Sequence, residues 1–509
     1  MEPMNHAIPR LLSFFQPRNT GLTTSRTIWI AIGASLLPVV LAPYQSFASS
    51  PTLTVLAELH PLRLFRIMEW LGRAKIKYTH ATAPLPLREK DGAQTDLLKV
   101  CEDSVPPCQL NPLLFNGHMQ TFYTSVKQAG PSVYYKRKVF EADQQTYHGT
   151  FAVDFAVDAF EETDDSLPER TVHFTDDEFA SLGSNDTKPQ LIVLHGLSGG
   201  SHEIYLRHAI APLLAEGKWD VCVINSRGCA QSKFTSGVLY NARATWDIRQ
   251  MVNWFRKKFP NRPLYGLGFS LGANMLTTYC GEEGPNCQLR AAVVCSNPFN
   301  LELANKSLQR TLLGKEVYQR VMGSAYPVSL ESSRSHEANA TTANMRNLIV
   351  GHKDSLSKFT DLDYERIEKA TYIYEFDREV QCASWGYPTE DAYYRDASSC
   401  DAVIAIKIPF LAVHATDDPI AVNEAVPYQE FKTNPYTVLC TTSLGGHLSW
   451  FEMGGGRWHA KPVVNFLNRM AFDIDLESIN HELASGSEVK QPRYLPMVRK
   501  MENCNFQKA

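Results

Sequence analysis

Short apolar segments alternate with amphipathic stretches through the middle of the chain, and this order predicts an α/β fold. Apolar runs of about four to eight residues bounded by turn residues are typical of buried parallel strands. The runs that fit this description are 190–194, 221–224, 264–269, 291–296, 408–414 and 436–441. Upstream, 133–139 and 149–155 predict the two arms of an antiparallel hairpin, and the acidic stretch 161–188 after them predicts a solvated loop.

Helical spacing fills the stretches between these strands. Residues 242–259 place their large apolar side chains on one stripe and end on two lysines, which suit the negative end of a helix dipole. The stripe consists of Trp246, Met251, Trp254 and Phe255. A mostly parallel central sheet with helices on both faces is therefore the predicted architecture.

Ser270 lies where the third apolar strand turns into an apolar helix. Gly268 and Gly272 flank it in the pattern G-x-S-x-G, which is typical of a nucleophile on a sharp strand-to-helix turn. Side chains at the two glycine positions would collide with the adjoining strand and helix. The strained turn would expose the serine Oγ and direct the backbone N–H of Leu271 at a developing oxyanion. The alternative is a chance match in a turn that contains glycine.

An acid and a histidine follow in the order that such a serine requires. Asp417 and Asp418 come directly after the fifth apolar strand, and His447 follows two glycines after the sixth. We favour Asp418 because the usual loop has a small residue and two spacers before the acid, and Asp417 is the close alternative. His447 would take the proton of Ser270, while Asp418 would fix its tautomer and stabilise the imidazolium.

The second oxyanion donor is expected in the glycine-rich loop after the first apolar strand. We assign it to the backbone N–H of Leu197, and we expect His195 to brace the loop rather than to react. Two histidines downstream, His459 and His481, follow no strand end, so we interpret both as surface or packing residues.

Neither a metal nor a bound cofactor is predicted. The glycine-rich loop lacks the Lys-Ser/Thr pair of a phosphate-binding loop, and no cysteine or histidine cluster has the spacing of a zinc site. The formal charge of −4 and the lack of a basic stripe argue against a nucleic-acid partner. The 11 cysteines show no regular spacing, which argues against a disulfide framework.

Several further motifs resemble one branch of the α/β-hydrolase superfamily. They are NPLL at 111–114, GHMQT at 117–121, NSRGC at 225–229, FD at 376–377, GY at 386–387, YYRDASS at 393–399, DDP at 417–419 and GGH at 445–447. The branch contains the fungal medium-chain fatty acid ethyl ester synthase/esterases, the animal abhydrolase-domain phospholipases and a bacterial hydrolase group. The resemblance covers roughly 105–470. Departures at 143–145 and 449–450 fall on a hairpin turn and the pocket wall, and neither removes a catalytic group.

This resemblance implies an α/β-hydrolase fold with Ser270, Asp418 and His447 as its catalytic triad. It also implies a small-molecule acyl ester or thioester as substrate, with medium-chain acyl groups passing to an alcohol while hydrolysis competes. In this fold an insertion before the acid-bearing strand covers the active site. We therefore expect 301–395, which shows helical patterns without clear strands, to form a helical cap.

The chain is longer than one ordinary domain, at 509 residues, and its 44% hydrophobic and 20% charged content is typical of a globular protein. We divide it into a leader at 1–57, a connector at 58–110, the hydrolase domain at 111–485 and a tail at 486–509. Within the connector, the basic and apolar residues of 62–71 predict a helix. That helix either lies along a membrane surface or packs on the hydrolase domain.

The leader at 1–57 indicates where in the cell the protein is located. It contains a mostly apolar run at 28–42, for which we favour a single-pass membrane anchor that leaves the catalytic domain on the lumenal side of an endomembrane. A signal peptide cleaved near 46–48 is the alternative, and a soluble cytoplasmic protein also stays open.

Two classes of function fit these features. The first is a serine esterase or acyltransferase that forms an acyl-serine intermediate, with phospholipase or polyketide-releasing activity as the alternative within enzymes. The second is a catalytically silent, membrane-bound scaffold that keeps the hydrolase fold, because fold does not imply function. An intact triad with both oxyanion donors argues against the scaffold.

Overall fold

Within the described residues, ten strands form one mixed sheet that contains the predicted parallel core. The computed structural model describes residues 72–127, 129–319, 322, 345–479 and 497. The strands are β1 (Ile76–His80), β2 (Pro86–Arg88), β3 (Gln94–Asp96), β4 (Tyr134–Glu141), β5 (Thr150–Val157), β6 (Thr171–His173), β7 (Gln190–Leu194), β8 (Asp220–Asn225), β9 (Leu264–Phe269), β10 (Leu289–Cys295), β11 (Phe410–Ala415) and β12 (Thr437–Thr442). The order across the sheet is β1-β12-β11-β10-β9-β7-β8-β5-β4-β6, and β2 pairs with β3 separately.

The strands from β8 across to β12 all run parallel, whereas β5 runs antiparallel to β8 and β4 antiparallel to β5. All eight predicted strands are confirmed, each within two residues of its expected ends. Because parallel strands end at the same edge of a sheet, the loops after β7, β9, β11 and β12 come together there.

Helices cover both faces of this sheet. The α-helices are α1 (Leu97–Ser104), α2 (Gly117–Val126), α3 (Asp176–Ala180), α4 (Ile204–Ala215), α5 (Trp246–Lys258), α6 (Leu271–Glu283), α7 (Leu301–Arg310), α8 (Met345–Gly351), α9 (Lys353–Leu356), α10 (Tyr364–Lys369), α11 (Ile373–Asp377), α12 (Ala383–Trp385), α13 (Glu390–Ala397), α14 (Cys400–Val403), α15 (Tyr428–Thr433) and α16 (Ala460–Asn468). Short π-helical turns at Gly314–Gln319, Arg378–Cys382 and Arg469–Asp473 accompany them.

The core is divided by the sheet into two apolar clusters, because successive strand residues point to opposite faces. Leu191 and Val193 pack in one cluster with α4 and α16, whereas Ile192 and Leu194 pack in the other with α5 and α6. Burial on both faces explains why the parallel strands are continuous apolar runs in the sequence.

Three features differ from the sequence prediction. The helix expected at 242–259 begins only at Trp246, and the predicted loop at 161–188 contains β6 and α3. The short strands β2 and β3 and the edge strand β1 were not predicted at all, and β1 pairs antiparallel with β12. Most of its residues are only half-buried, so β1 lacks the apolar run that marks the central strands.

The described parts of the predicted cap, 301–319 and 345–395, are helical. The leader, the helix expected at 62–71 and the tail apart from Met497 lie outside the described residues, and the domain boundaries stay predictions. Among the helices that the structure describes, none combines the length and apolar character needed to cross a membrane.

Candidate active site

Ser270 occupies the turn between β9 and α6 in an uncommon backbone conformation. Its φ is 51° and its ψ is −117°, outside the regions that residues other than glycine favour. Its N–H donates to the carbonyl of Cys295 at 3.0 Å, and its carbonyl accepts the N–H of Asn274 at 3.1 Å. The neighbouring strand and the helix therefore both hold the strained turn, as expected of a residue whose position serves chemistry.

The two glycines beside Ser270 are required by close backbone contacts. A Cβ on Gly268 would lie 2.7 Å from the carbonyl oxygen of Gly272, and a Cβ on Gly272 would lie 2.4 Å from that of His195. Both distances are shorter than a carbon–oxygen contact allows. The G-x-S-x-G pattern thus packs α6 directly against the end of β7, as well as bending the chain after β9.

His447 connects Ser270 to Asp418 through hydrogen bonds. Its Nε2 lies 2.9 Å from the Oγ of Ser270, and its Nδ1 lies 2.8 Å and 3.1 Å from the two carboxylate oxygens of Asp418. Because a carboxylate only accepts, Nδ1 carries the proton and Nε2 is the acceptor for the serine hydroxyl. This geometry allows the imidazole to take a proton from Ser270.

The side chain of Asp418 is fully buried, at 0% exposure. The N–H groups of Ile420 and Ala421 each donate to its Oδ1 at 2.9 Å. Burial raises the pKa of Asp418, but the charge interaction and hydrogen bond with His447 outweigh it, so the pKa is lowered from 3.8. Asp418 therefore stays ionised and can stabilise an imidazolium.

The adjacent acid, Asp417, points to a different partner. Its Oδ1 accepts the N–H of Gly446 at 3.0 Å, one residue before His447. Burial, opposed by that hydrogen bond and reinforced by the charge of Asp418, raises the pKa of Asp417 to about 6. Of the two candidates, the structure thus places Asp418 and not Asp417 against the imidazole.

Two residues that the sequence analysis did not assign also hold the loop of His447. Thr121 Oγ1 accepts the N–H of His447 at 2.9 Å, and Ser296 Oγ accepts the N–H of Leu448 at 3.2 Å. Thr121 belongs to the GHMQT motif on α2, which served only as a family marker. The motif could have drawn attention to Thr121, but the residue that Thr121 contacts, His447, lies far away in the chain.

In the glycine-rich loop after β7, the N–H groups on either side of Leu197 are both bonded to tyrosine hydroxyls. The N–H of Gly196 donates to the hydroxyl of Tyr205 at 2.8 Å, and the N–H of Ser198 donates to the hydroxyl of Tyr240 at 3.2 Å. Between them, the N–H of Leu197 has no acceptor among the described residues, and the same holds for the N–H of Leu271. These are the two groups predicted as oxyanion donors.

The other histidines considered in the sequence analysis were expected to have structural roles. His195 Nδ1 lies 2.6 Å from the carbonyl oxygen of Gly196, and its Nε2 accepts the N–H of Ser226 at 3.0 Å. Burial lowers the pKa of His195 to about 4, so it braces the loop as a neutral ring, as predicted. His459 is buried in the core, and His481 lies outside the described residues.

The side chains of Leu197 and Leu271 pack against apolar clusters to which the predicted cap contributes residues. Both contact the apolar cluster that contains Leu348 and Phe376, and Leu271 also contacts the cluster of Tyr393. No group of three or more His, Cys, Asp or Glu within the described ranges could hold a metal ion. The arrangement thus places a serine, a base and two N–H donors next to apolar side chains.

Comparison with known proteins identifies the class of this fold and site. The chain belongs to the α/β hydrolase fold family, whose sequence profile matches residues 189–452, and it is a hydrolase. Monoacylglycerol lipase from Saccharomyces cerevisiae is 32% identical over 424 residues, which cover 78% of this chain and 89% of the lipase. Medium-chain fatty acid ethyl ester synthase/esterase 2 from the same yeast is 30% identical over 400 residues, which cover 71% of this chain and 85% of that enzyme.

A more distant relative is phospholipase ABHD3 from Homo sapiens, at 28% identity over 279 residues that cover 55% of this chain and 63% of the phospholipase. The chain is thus similar to lipases, esterases and phospholipases of one superfamily. These relatives confirm the branch that the motifs indicated, as well as the predicted fold class.

Proposed function

We propose that this protein is a serine esterase and acyltransferase that works through an acyl-Ser270 intermediate. The observation that carries the proposal is the continuous hydrogen-bonded chain from Ser270 through His447 to the buried Asp418. The free N–H groups of Leu197 and Leu271 support it, because an oxyanion needs donors that no protein group already occupies.

The proposed reaction begins with an ester or thioester. Ser270 Oγ attacks the acyl carbonyl carbon while its proton passes to Nε2 of His447, and the N–H groups of Leu197 and Leu271 stabilise the oxyanion. The bond to the leaving oxygen or sulfur then breaks, and His447 returns the proton to the departing alcohol or thiol. In the second half, His447 deprotonates water or an alcohol, whose oxygen attacks the acyl carbon. The bond between that carbon and Ser270 Oγ then breaks, and His447 returns the proton to Ser270, so that an acid or a new ester is released.

Medium-chain acyl groups and an alcohol acceptor are the finer part of the proposal. The similarity to an ethyl ester synthase/esterase supports them, as does the apolar cluster around Leu197 and Leu271, to which the predicted cap contributes residues. A water-poor pocket favours alcoholysis, whereas the high concentration of water favours hydrolysis. One acyl-enzyme would therefore give both products in a ratio set by the alcohol concentration.

The test combines labelling with product analysis. A fluorophosphonate probe should label the wild-type protein and should not label Ser270→Ala. With a fixed acyl donor and an increasing ethanol concentration, the new ester should increase while the free acid decreases. A constant amount of acid without ester would leave a hydrolase and contradict the transferase. Failure of the wild type to label or turn over esters would instead favour a catalytically silent scaffold.

Phospholipid hydrolysis is the second candidate, because phospholipase ABHD3 is among the relatives. Its test adds a phosphatidylcholine panel of varied acyl length to the ester panel. A kcat/KM for phosphatidylcholine above that for simple esters of the same acyl chain would replace the first proposal by the second.

We also propose that 28–42 associates the protein with a membrane, because this run is uncharged and mostly apolar. The full chain should pellet with membranes, and a chain that starts at Leu59 should pellet less. If a basic helix at 62–71 adds surface binding, high salt should reduce the remainder. A full chain that stays in the supernatant would contradict the anchor.

A further inference from the structure

The loop that carries His447 is held by three consecutive backbone hydrogen bonds. The N–H groups of Gly446, His447 and Leu448 are each accepted by a side-chain oxygen, at distances of 3.0, 2.9 and 3.2 Å. The acceptors are Asp417, Thr121 and Ser296. They belong to three separate elements, namely the loop after β11, helix α2 and the end of β10.

The glycines of this loop explain why it needs such support. A Cβ on Gly445 would lie 2.3 Å from the indole nitrogen of Trp450, and Gly446 has a φ of 62° with the carbonyl of Gly117 against it. Glycine is thus required at both positions, but glycine loses more conformational freedom on folding than other residues. External acceptors must therefore hold the backbone before His447.

Helix α2 is fitted closely to the same loop. A Cβ on Gly117 would lie 1.8 Å from the carbonyl oxygen of Asp417, so the helix begins directly on the residue that holds Gly446. Thr121, one turn further along, reaches the N–H of His447 and also donates to the carbonyl of Gly117 at 2.7 Å. The first turn of α2 and Asp417 thus form one continuous contact surface for the loop.

We propose that Asp417, Thr121 and Ser296 are positioning residues that set the backbone of His447 and thereby aim its imidazole at Ser270. This gives a role to the second acid of the adjacent pair, which does not touch the imidazole. The inference rests on the proposed function, because positioning matters only if His447 acts on Ser270. Displacement of a catalytic group by about 1 Å can cost on the order of 100-fold in rate, so the effect should be measurable.

The test uses pairs of variants that remove or keep the acceptor oxygen. Asp417→Ala should lower kcat for a soluble medium-chain ester by about 10- to 100-fold with KM changed by less than about 3-fold. Asp417→Asn keeps Oδ1 as an acceptor and should stay within about 3-fold of wild type. Thr121→Val and Thr121→Ser form a second pair, which decides the matter if Asp417→Ala does not fold.

Asp96→Ala is the matched control, because Asp96 also accepts a backbone N–H, that of Lys99 at 2.9 Å, but at the start of α1. It should lower stability without changing kcat. Equal kcat losses for the Ala and Asn variants of Asp417, or unchanged kcat in Asp417→Ala and Thr121→Val, would overturn the positioning role.

A readout that does not need turnover separates this inference from the proposed function. The Nδ1 proton of His447, bonded to Asp418, should give a downfield proton resonance in the full-length wild type. That resonance should broaden or shift in Asp417→Ala and Thr121→Val, and should be retained in Asp417→Asn and Thr121→Ser. If wild type shows no esterase activity, the proposed function fails. An unchanged resonance in Asp417→Ala and Thr121→Val would overturn the positioning role on its own.

Discussion

The two halves of the candidate site are built in different ways. On the nucleophile side, Gly268 and Gly272 permit the strained turn of Ser270, and backbone hydrogen bonds with Asn274 and Cys295 hold it. On the acid–histidine side, the loop of His447 is glycine-rich and is held by distant side chains, with Thr121 separated from His447 by 326 positions. A strained local turn thus positions Ser270, whereas the position of His447 depends on contacts with residues distant in the chain.

The largest expected effect comes from removing either reacting group. Ser270→Ala and His447→Ala should each lower kcat/KM by about 10³-fold to 10⁶-fold, because members of such a unit fail together. Circular dichroism should show an unchanged fold, and rates with a chromogenic ester provide the measurement. Fluorophosphonate labelling that persists in Ser270→Ala would refute the nucleophile.

The next effect separates the adjacent acids. Asp418→Asn should lower kcat by about 10⁴-fold, because an amide favours the wrong tautomer of the imidazole. Asp417→Asn is the matched change on the neighbouring residue and should have little effect on kcat. A larger loss at Asp417 would reverse the assignment of the acid.

These differences also explain how much the sequence could predict. Ser270, Asp418, His447 and Leu197 each follow the end of an apolar strand, and parallel strands bring their ends together, so chain order was enough to nominate them. The GHMQT motif marked Thr121 as part of the family pattern, but the register of helix α2 against the loop of His447 depends on tertiary packing, so no local pattern indicated what Thr121 does. The edge strand β1 was missed for a related reason, because half-buried edge residues carry no apolar run.

Disrupting the close backbone packing at Gly272, beside Ser270, should lower both activity and stability. Gly272→Ala places a Cβ 2.4 Å from the carbonyl oxygen of His195, and we expect a destabilisation of about 1–3 kcal/mol with a kcat loss of about 100-fold. Gly351→Ala is the control, since a Cβ there has no atom within 4 Å. Thermal unfolding and ester turnover would be measured together, and equal behaviour of the two variants would contradict the packing argument.

A smaller effect should follow from loosening the oxyanion loop. Tyr205→Phe removes the acceptor of the N–H of Gly196, and an unsatisfied buried donor costs about 1–3 kcal/mol. Because Leu197 is the next residue, kcat should fall by about 10-fold with little change in KM. Tyr428→Phe, which removes a hydroxyl bonded to Asn423, serves as the control. If both variants keep full activity, Tyr205 does not support the oxyanion donor.

The smallest expected effect on turnover accompanies a change in the pH dependence of stability. The pKa of Asp417 is raised from 3.8 to about 6 by burial, so the folded protein holds this proton at pH values where the unfolded chain has released it. The contribution of Asp417 to stability therefore decreases as the pH rises from about 4 to about 6 and stays low above that range. Asp417→Asn removes this titration, so the variant should be more stable than wild type at pH 8, by at most about 3 kcal/mol.

The free energies of unfolding of the variant and of wild type should become equal below pH 4, where Asp417 is protonated in both the folded and the unfolded state. Thermal unfolding of both proteins from pH 4 to pH 8 gives the measurement, and a variant that is less stable than wild type at pH 8 would show that the carboxylate charge itself stabilises the histidine loop.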